Sequence, residues 1–550
     1  VTVGCRVRIN LNGRRVGGFV VDVVAFEDHS GFDKDKLSPL VSVSGVGVEA
    51  DVVPLTKWVA SQWWGSWRAV LSSAAAPRVR DRATHARYGT SPIAPDDEVA
   101  GVTREIALAQ GGLMLVPPLA SALSVVATMA LTGPVLAICP TLRMATLGAA
   151  SLRRRGFTTA VVPHEWESAR AGVDVVIGAR SAVLAPCPNI AGIVVIDEHD
   201  ESLQEERSPT WDATSVAGER ARLNGVPFIA TSAVPSLQSL LTFADDIAVV
   251  TSPKGWPDIQ IVDLADVPLA GSLLSTPLLQ SIRNATGASV VVLNTKGKAR
   301  LLVCKACKAV QSCATCGALL AQGDDGVLHC VRCNIEAGSV CSSCGRAQFV
   351  VLRGGTTHLK SQIERSSRKS VVEVSSETED TWTTGSVFIG TEAVLYRVPT
   401  AECIVFADID RDLGAPRMSA ASEVAALIAR AARIVGTKGS LIVQTRQPEH
   451  PLLQAFAAQD PSSALAVWSE SQMTQNKTLG LPPFSKVVKV TVTAPRTIDD
   501  LPELVDINIA RGDGEVLLRA PSHKQMDDAI LCIRAALGTA VRIHANPRRF

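Results

Sequence analysis

The stretch CKACKAVQSCATCGALLAQGDDGVLHCVRCNIEAGSVCSSCG, Cys304 to Gly345, decides how the rest of this 550-residue chain is read. Eight of the thirteen cysteines crowd into it as four C-x-x-C pairs: Cys304/Cys307, Cys313/Cys316, Cys330/Cys333 and Cys341/Cys344. Each pair sits on a tight turn that can aim both thiolates at one ion. Tetrahedral zinc takes two such pairs, so eight sulfurs imply two closed structural sites. A disulfide framework needs an oxidising compartment, and the start VTVGCRVRIN, broken by Arg6 and Arg8, is no secretory signal. A redox C-x-x-C stands once, beside a βαβ unit. The remaining cysteines, Cys5, Cys139, Cys187, Cys403 and Cys532, are scattered, mostly in apolar runs, and read as core thiols.

Outward from the module, strand-like runs alternate with Ala- and Leu-rich helical stretches. VLAIC, TAVVP, DVVIG, IAGIVVID, VPFIATS and SVVVLN precede it; SVFIG, CIVFADID and GSLIVQT follow. The alternation predicts an α/β multidomain chain in which two mostly parallel sheets with crossover helices flank a cysteine insertion. Residues 1–50 alternate apolar and polar around NGRR and GVG, as a small antiparallel β domain does; 51–97 form a helical, winged-helix-like segment and linker. The first lobe is expected over 98–290, the cysteine module over 291–350, the second lobe over 351–465 and a small α+β domain over 466–550. Trp58, Trp63, Trp64 and Trp67 fall at helical spacing, which fits a core better than a base-stacking platform.

Hydrophobic residues make up 47% and charged residues 19%, with a net charge of +1, so neither disorder nor a strongly basic coat is implied. Any nucleic-acid surface must be local. Candidate basic spots are Arg6, Arg8, Arg14 and Arg15, then PRVRDRATHAR (Pro77 to Arg87), Arg153 to Arg155, and the terminal NPRRF; a solvated face is the simpler reading of each. From Ile106 to Leu142 no residue is charged, which raises the question of a membrane span. Pro117-Pro118 and Gly133-Pro134 split the run, leaving an apolar helix of about 14 residues and a short strand, where a span needs about 20. A buried helix and strand of an α/β core, in a cytoplasmic protein, is the expectation.

A second stretch, VVIDEHDES at Val194 to Ser202, runs β-branched residues into Asp197 and Glu198. Nucleotide-driven motors place magnesium-binding and water-activating carboxylates this way. Such a box needs a G-x-x-x-x-G-K-S/T loop, whose backbone amides and lysine neutralise phosphates. The region that should supply it reads GVTREIALAQGGLMLVPPLASAL, without a lysine; Gly297-Lys298 is followed by Ala299 and lies beside the cysteine module.

In order and content these pieces resemble the PriA family (primosomal protein N′), replication restart proteins of helicase superfamily 2 with two RecA-like lobes and a double-zinc insertion between them. IGARSAVLAP (Ile177 to Pro186) is similar to the family's G-T-R-S-A motif, VVIDEHDES to its D-E-E-H box and TSAVPSLQSL (Thr231 to Leu240) to T-S-A-T-P-S-L-E-S. IGTEAVLYRVP, QTRQPEHPLLQ and Leu481 to Phe484 resemble second-lobe and C-terminal segments. The resemblance implies nested zinc sites, Cys304/Cys307 with Cys341/Cys344 and Cys313/Cys316 with Cys330/Cys333; a hairpin tip at GDDG favours the same nesting. The family's Q-V-A-G-R-A-G-R, which supplies arginine fingers, is matched by ALIARAARIVG, where Arg430 and Arg433 keep the spacing but Ala replaces the Gln and both Gly. Surface or ion-pair positions are the expectation for these arginines. This erosion resembles the actinobacterial branch of the family. Family members carry further strands and an F-D-Y segment ahead of the stretch like GCRVRINLNGRRVGGFV, so a truncated N-terminus, or a start codon read too far downstream, is expected. The pocket for a DNA 3′ end would then be incomplete.

The resemblance implies a replication restart factor that binds forked or single-stranded DNA and assembles primosome and replisome proteins, single-stranded DNA-binding protein among them, near the nucleoid. Without a phosphate cradle for ATP and magnesium, Asp197, Glu198, Arg430 and Arg433 are expected to be vestigial. The rival readings are an active ATP-dependent 3′-to-5′ DNA helicase and a decayed product with no DNA role.

Overall fold

The computed structural model describes residues 1–24, 38–77, 92–251, 255–265, 267, 273–294, 301–352, 356–374, 385–512 and 514–547. The basic run Arg78 to Arg87, Gly297-Lys298, Arg548 and Arg549 lie outside these residues.

Two all-parallel sheets form the body. The first has seven strands in the order Ile247–Val249, Gly111–Leu115, Phe228–Ser232, Gly192–Val195, Val135–Ile138, Val175–Gly178 and Thr159–Val162. The second has six: Ile259–Asp263, Ser440–Thr445, Cys403–Phe406, Ser289–Val292, Val387–Gly390 and Val371–Glu373. Central strands such as Val175–Gly178 and Cys403–Phe406 are buried at every position, because crossover helices cover both faces. The helices begin on side-chain caps: Thr141, Asp212, Ser236, Ser275 and Asp460 each accept a backbone N–H of the first turn.

Three expectations need correction. The segment 259–290, assigned above to the first lobe, and the first two residues assigned to the cysteine module instead supply two strands of the second sheet: Ile259–Asp263 pairs with Ser440–Thr445, and Ser289–Val292 with Cys403–Phe406 and Val387–Gly390. Local alternation shows that a strand exists but not which distant strand it pairs with. The helix Pro461–Leu479 runs through the expected boundary at 465/466. In the uncharged run the helix is only Leu123–Met129, since Gly111–Leu115 is a strand and the prolines hold a loop between them. No described helix is long and apolar enough to cross a membrane.

The N-terminal sheet has the order Arg14–Phe19, Cys5–Leu11, Leu40–Val46, antiparallel throughout. Its first turn carries Asn12 at φ 49° and Gly13 at φ 75°, the two left-handed residues of a type I′ hairpin. GVG, by contrast, ends a strand and leads into the helices Val52–Gln62 and Trp67–Ser73. Trp63 and Trp64 are buried in a cluster that also holds first-lobe residues Leu136 and Trp211 and C-terminal residues Val488 and Ile530. Trp64, at φ 48°, is gripped by the C-terminal helix His523–Leu537: Asp527 accepts its indole N–H, Arg534 donates to its carbonyl and His523 stacks on its ring. Gly65 lies so close to Pro209 that a Cβ would stand 2.3 Å from it. The C-terminal unit is a four-stranded antiparallel sheet, Asn508–Arg511, Glu515–Ala520, Lys486–Val492, Val541–Ala545, carrying that one helix.

Candidate functional site: two sulfur clusters and a closed cleft

The cysteine module is built from two short antiparallel strand pairs, one nested inside the other. Leu301–Cys304 pairs with Phe349–Leu352, and Leu320–Gln322 with Leu328–Cys330 across the GDDG tip. Four identical turns position the sulfurs. The residue after each second cysteine, Lys308, Gly317, Asn334 and Gly345, has φ between 57° and 73°. Its N–H bonds back to the carbonyl of the first cysteine, at 2.8–3.1 Å. Two groups of four sulfurs result, Cys304, Cys307, Cys341, Cys344 and Cys313, Cys316, Cys330, Cys333, each within 4.8 Å of one another. Nearest sulfurs stand 3.5–3.6 Å apart. That is far beyond the ~2.05 Å of a disulfide and close to the edge of a tetrahedron with Zn–S of about 2.3 Å. Burial opposes ionisation, but the N–H groups of Ser343 and Cys344 bring the Cys341 thiol down to about 6, and those of Cys316 and Thr315 bring Cys313 to about 7. All-thiolate donor sets of this size fit zinc, and the two clusters could hold two ions.

The module rests on the second lobe. Leu319 N–H bonds Gly414 O at 2.9 Å, Arg332 reaches Ala415 O at 2.7 Å, and Arg411 reaches Leu352 O at 3.0 Å.

The acidic box follows the strand Gly192–Val195 of the first lobe, with Asp197 at φ 53°, a left-handed conformation that aspartate tolerates better than most residues. None of its side chains is idle. Glu198 accepts from Ser236 N at 2.8 Å, Ser236 Oγ at 2.7 Å and Ser239 Oγ at 2.7 Å, and His199 Nδ1 meets Ser232 Oγ at 2.7 Å. The second-lobe helix Ala420–Val435 brings Arg430 and Arg433 to the two aspartates. Arg433 binds Asp197 with both terminal nitrogens, Nη2 to Oδ1 at 2.9 Å and Nη1 to Oδ2, and its Nε donates to Pro118 O at 3.3 Å. Arg430 pairs with Asp200 Oδ2 and lies 3.8 Å over the Tyr396 ring. Ser202 donates twice to Asp200 Oδ1, from N at 3.0 Å and Oγ at 2.6 Å. Burial alone would raise both aspartates. The Arg433 and Arg430 guanidiniums outweigh it and hold Asp197 and Asp200 below the ordinary carboxyl value.

Between strand Gly111–Leu115 and helix Leu123–Met129, the eight positions of a phosphate loop would fall on Pro117 to Ser124. Pro117 and Ala122 stand where glycines are needed and Leu123 where lysine is needed. The prolines remove amide donors. Ser124 survives in the hydroxyl position but donates to Asp97 Oδ2 at 2.6 Å, while Asp97 Oδ1 caps the helix Glu98–Leu108. The cavity beside the two arginine–aspartate pairs, lined by Arg143, Met144, Leu395 and Ile434 among others, is about 190 Å³. Ligand pockets are commonly about 300–1,000 Å³.

The N-terminal arginines do not form one patch. Pairing places Arg6, Arg8 and Arg15 on one face with Phe19, Gly17 and Ser42, and Arg14 on the other. Arg6 is engaged with Ala76 O at 3.2 Å and the Phe19 ring. Arg8 and Arg15 are exposed. Sequence reasoning did not single out Tyr396, Ser202 or Asp97; the S/T/D-x-x spacing of Asp97 to Ala100 was a readable capping signal, the other two were not.

No protein-family model matches the chain. Among curated proteins it is 26% identical over 356 residues to the replication restart protein PriA of Thermotoga maritima, covering 60% of this chain and 47% of that protein. It is 24% identical over 374 residues to PriA of Bacillus subtilis, covering 62% and 46%. The chain is a sequence relative of PriA. It spans about half the length of the curated PriA proteins it matches. PriA of Treponema pallidum gives a third match, 27% over 341 residues, covering 57% of this chain and 51% of that protein. Among solved structures, Escherichia coli DEAH/RHA helicase HrpB is similar at a TM-score of 0.35 and 10% identity, over 64% of this chain and 42% of that one. Saccharomyces cerevisiae Dbp5 bound to RNA and ADP BeF3 is similar at 0.33 and 11%, over 79% and 98%. The two-lobed architecture rests on the strand pairing, and the kinship with PriA on the sequence matches.

Proposed function

We propose that this chain is a replication restart factor of the PriA kind: it binds stalled or branched DNA forks and helps assemble primosome and replisome proteins, without hydrolysing ATP or unwinding DNA. The sequence kinship to replication restart proteins supports the role, and the two sulfur clusters between two parallel-sheet lobes are in keeping with it. One observation carries the non-hydrolysing part. Leu123 stands in the lysine position, while Asp197, Glu198 and Asp200 spend their oxygens on Arg433, Ser236, Ser239, Ser202 and Arg430. Phosphoryl transfer relies on positioning and charge neutralisation. With no cradle for a triphosphate, the carboxylates have no magnesium nucleotide to coordinate.

DNA contact is assigned to Arg8 and Arg15 on the N-terminal sheet, with Arg6 and Arg14 in lesser roles. Because the net charge is only +1, attraction to plain duplex is weak and affinity comes from local spots meeting different arms of a fork. The test is a titration of forked and linear DNA at physiological salt, on a preparation whose ATP turnover is also measured. Tighter binding to the fork with background turnover is expected. Equal affinity for the two DNAs would remove the restart reading, and fork-stimulated turnover would replace it with the active helicase.

A further inference from the structure

The apolar cores divide the molecule unevenly, and the second-lobe cluster takes in Val234 from the first lobe. One cluster unites the N-terminal helices, the outer side of the first lobe and the C-terminal unit; separate clusters fill the second lobe and the cysteine module. Prominent among the contacts across the cleft is a set of polar ones: Arg433 on Asp197 and Pro118 O, Arg430 on Asp200, Tyr396 Oη on Asp200 at 3.4 Å, and Arg143 Nη1 on Arg397 O at 2.7 Å. In phosphoryl-transfer motors an arginine of this kind reaches the transferred phosphate and the carboxylate holds the metal beside it. Here the arginines close directly onto the carboxylates, and a magnesium nucleotide could enter only if both pairs let go.

We infer that these two arginine–aspartate pairs are a latch that holds the lobes closed in place of a nucleotide. The pairing is built, not incidental. Asp200 is fixed from behind by Ser202, whose hydroxyl is placed beside Pro140, and Arg180 braces the loop that leaves the box through Ser202 O at 2.9 Å and Gln204 O at 2.8 Å. Arg430 is stacked on Tyr396 from its own lobe, so the guanidinium is oriented before the partner arrives. Two polar contacts tie the same loop to the C-terminal unit: Gln204 Nε2 to Asn546 O at 3.1 Å and Thr210 Oγ1 to Ala545 O at 2.9 Å. The latch therefore contributes, beside the apolar contact of Val234, to how the second lobe and its cysteine module stand relative to the first lobe. Its closure does not call on ATP. This inference deepens the non-hydrolysing reading and shares its premise that no nucleotide enters the cleft.

The experiment measures the distance between probes carried by non-natural amino acids at exposed positions Asn224 and Lys438, one on each lobe, in the full chain loaded with zinc. Wild type is expected to give one narrow distribution that magnesium ATP leaves unchanged and that persists at raised salt, because screening acts only weakly on buried pairs. Asp197→Asn with Asp200→Asn should be broad at all salt concentrations, with zinc content and circular dichroism as checks on folding. The reversal Asp197→Arg with Arg433→Asp should narrow the distribution relative to either single change. A wild-type distribution already broad at low salt, or a double variant as narrow as wild type, overturns the latch. Should the double variant misfold, the reversal pair decides: no narrowing relative to the singles overturns it too. ATP turnover is read in parallel. A distribution that ATP shifts without turnover sinks the latch alone, and turnover beside an unchanged narrow distribution sinks the non-hydrolysing reading alone.

Discussion

Asp197 is 5% exposed and would be an expensive charge without Arg433. Its folded carboxyl titrates below the ordinary value, as does that of Asp200. The stabilisation is therefore present above the unfolded pKa, near 3.9, and is lost as the pH falls through the depressed folded values. Wild type is expected to lose more stability than Asp197→Asn on acidification below about pH 4. Denaturation at pH 7 separates the pair from its parts. Arg433→Gln strands a buried carboxylate and should cost toward the lower end of about 3–5 kcal/mol, because the Arg433 side chain keeps 30% exposure. Adding Asp197→Asn should recover part of that loss, and a double variant less stable than Arg433→Gln would speak against a coupled pair. The arginine spacing was visible in ALIARAARIVG, and an ion pair was one of its two readings. The partners were not visible, since they lie more than 200 residues away and only the closed lobes bring them together.

The cysteine module is the element whose reading from sequence went furthest, because C-x-x-C turns are local. The signal extends one residue beyond each pair: Gly317, Asn334 and Gly345 are residue types that favour left-handed backbone, and Lys308 is the exception. Elemental analysis of unchelated protein should find two zincs per chain, and Cys313→Ser should lower the content by about one ion and loosen the module, since structural zinc supplies folding free energy. A content near zero or one would overturn the double site. The parallel strands were legible as apolar runs, yet Ser289–Val292 was placed with the first lobe and Ile259–Asp263 was not read as a strand, because pairing is decided by strands more than 100 residues distant. The N-terminal sheet teaches the opposite lesson. Arg14 and Arg15 are neighbours in sequence, and strand alternation alone sends them to opposite faces. Arg8→Ala and Arg15→Ala should each weaken fork binding and reduce the salt slope by about one, whereas Arg14→Ala should do less; a larger effect at Arg14 would point to the other face.

At the scale of the whole molecule, the N-terminal helices, first lobe and C-terminal unit share a core, and the second lobe and cysteine module are fastened to it in part across a cleft that a motor would keep for ATP. On the proposed reading, the acidic box, the Pro117–Ser124 loop and the arginines closed on the carboxylates belong together: the site balances its own charge. If the latch holds, a fixed two-lobed body would suit the proposed scaffold better than a cycle of opening and closing. DNA-stimulated ATP turnover, compared between wild type and Asp197→Asn, tests this most directly. Turnover at background in both proteins, with or without forked DNA, is expected; fork-stimulated turnover in wild type that Asp197→Asn abolishes would contradict the account and make Arg430 and Arg433 working fingers.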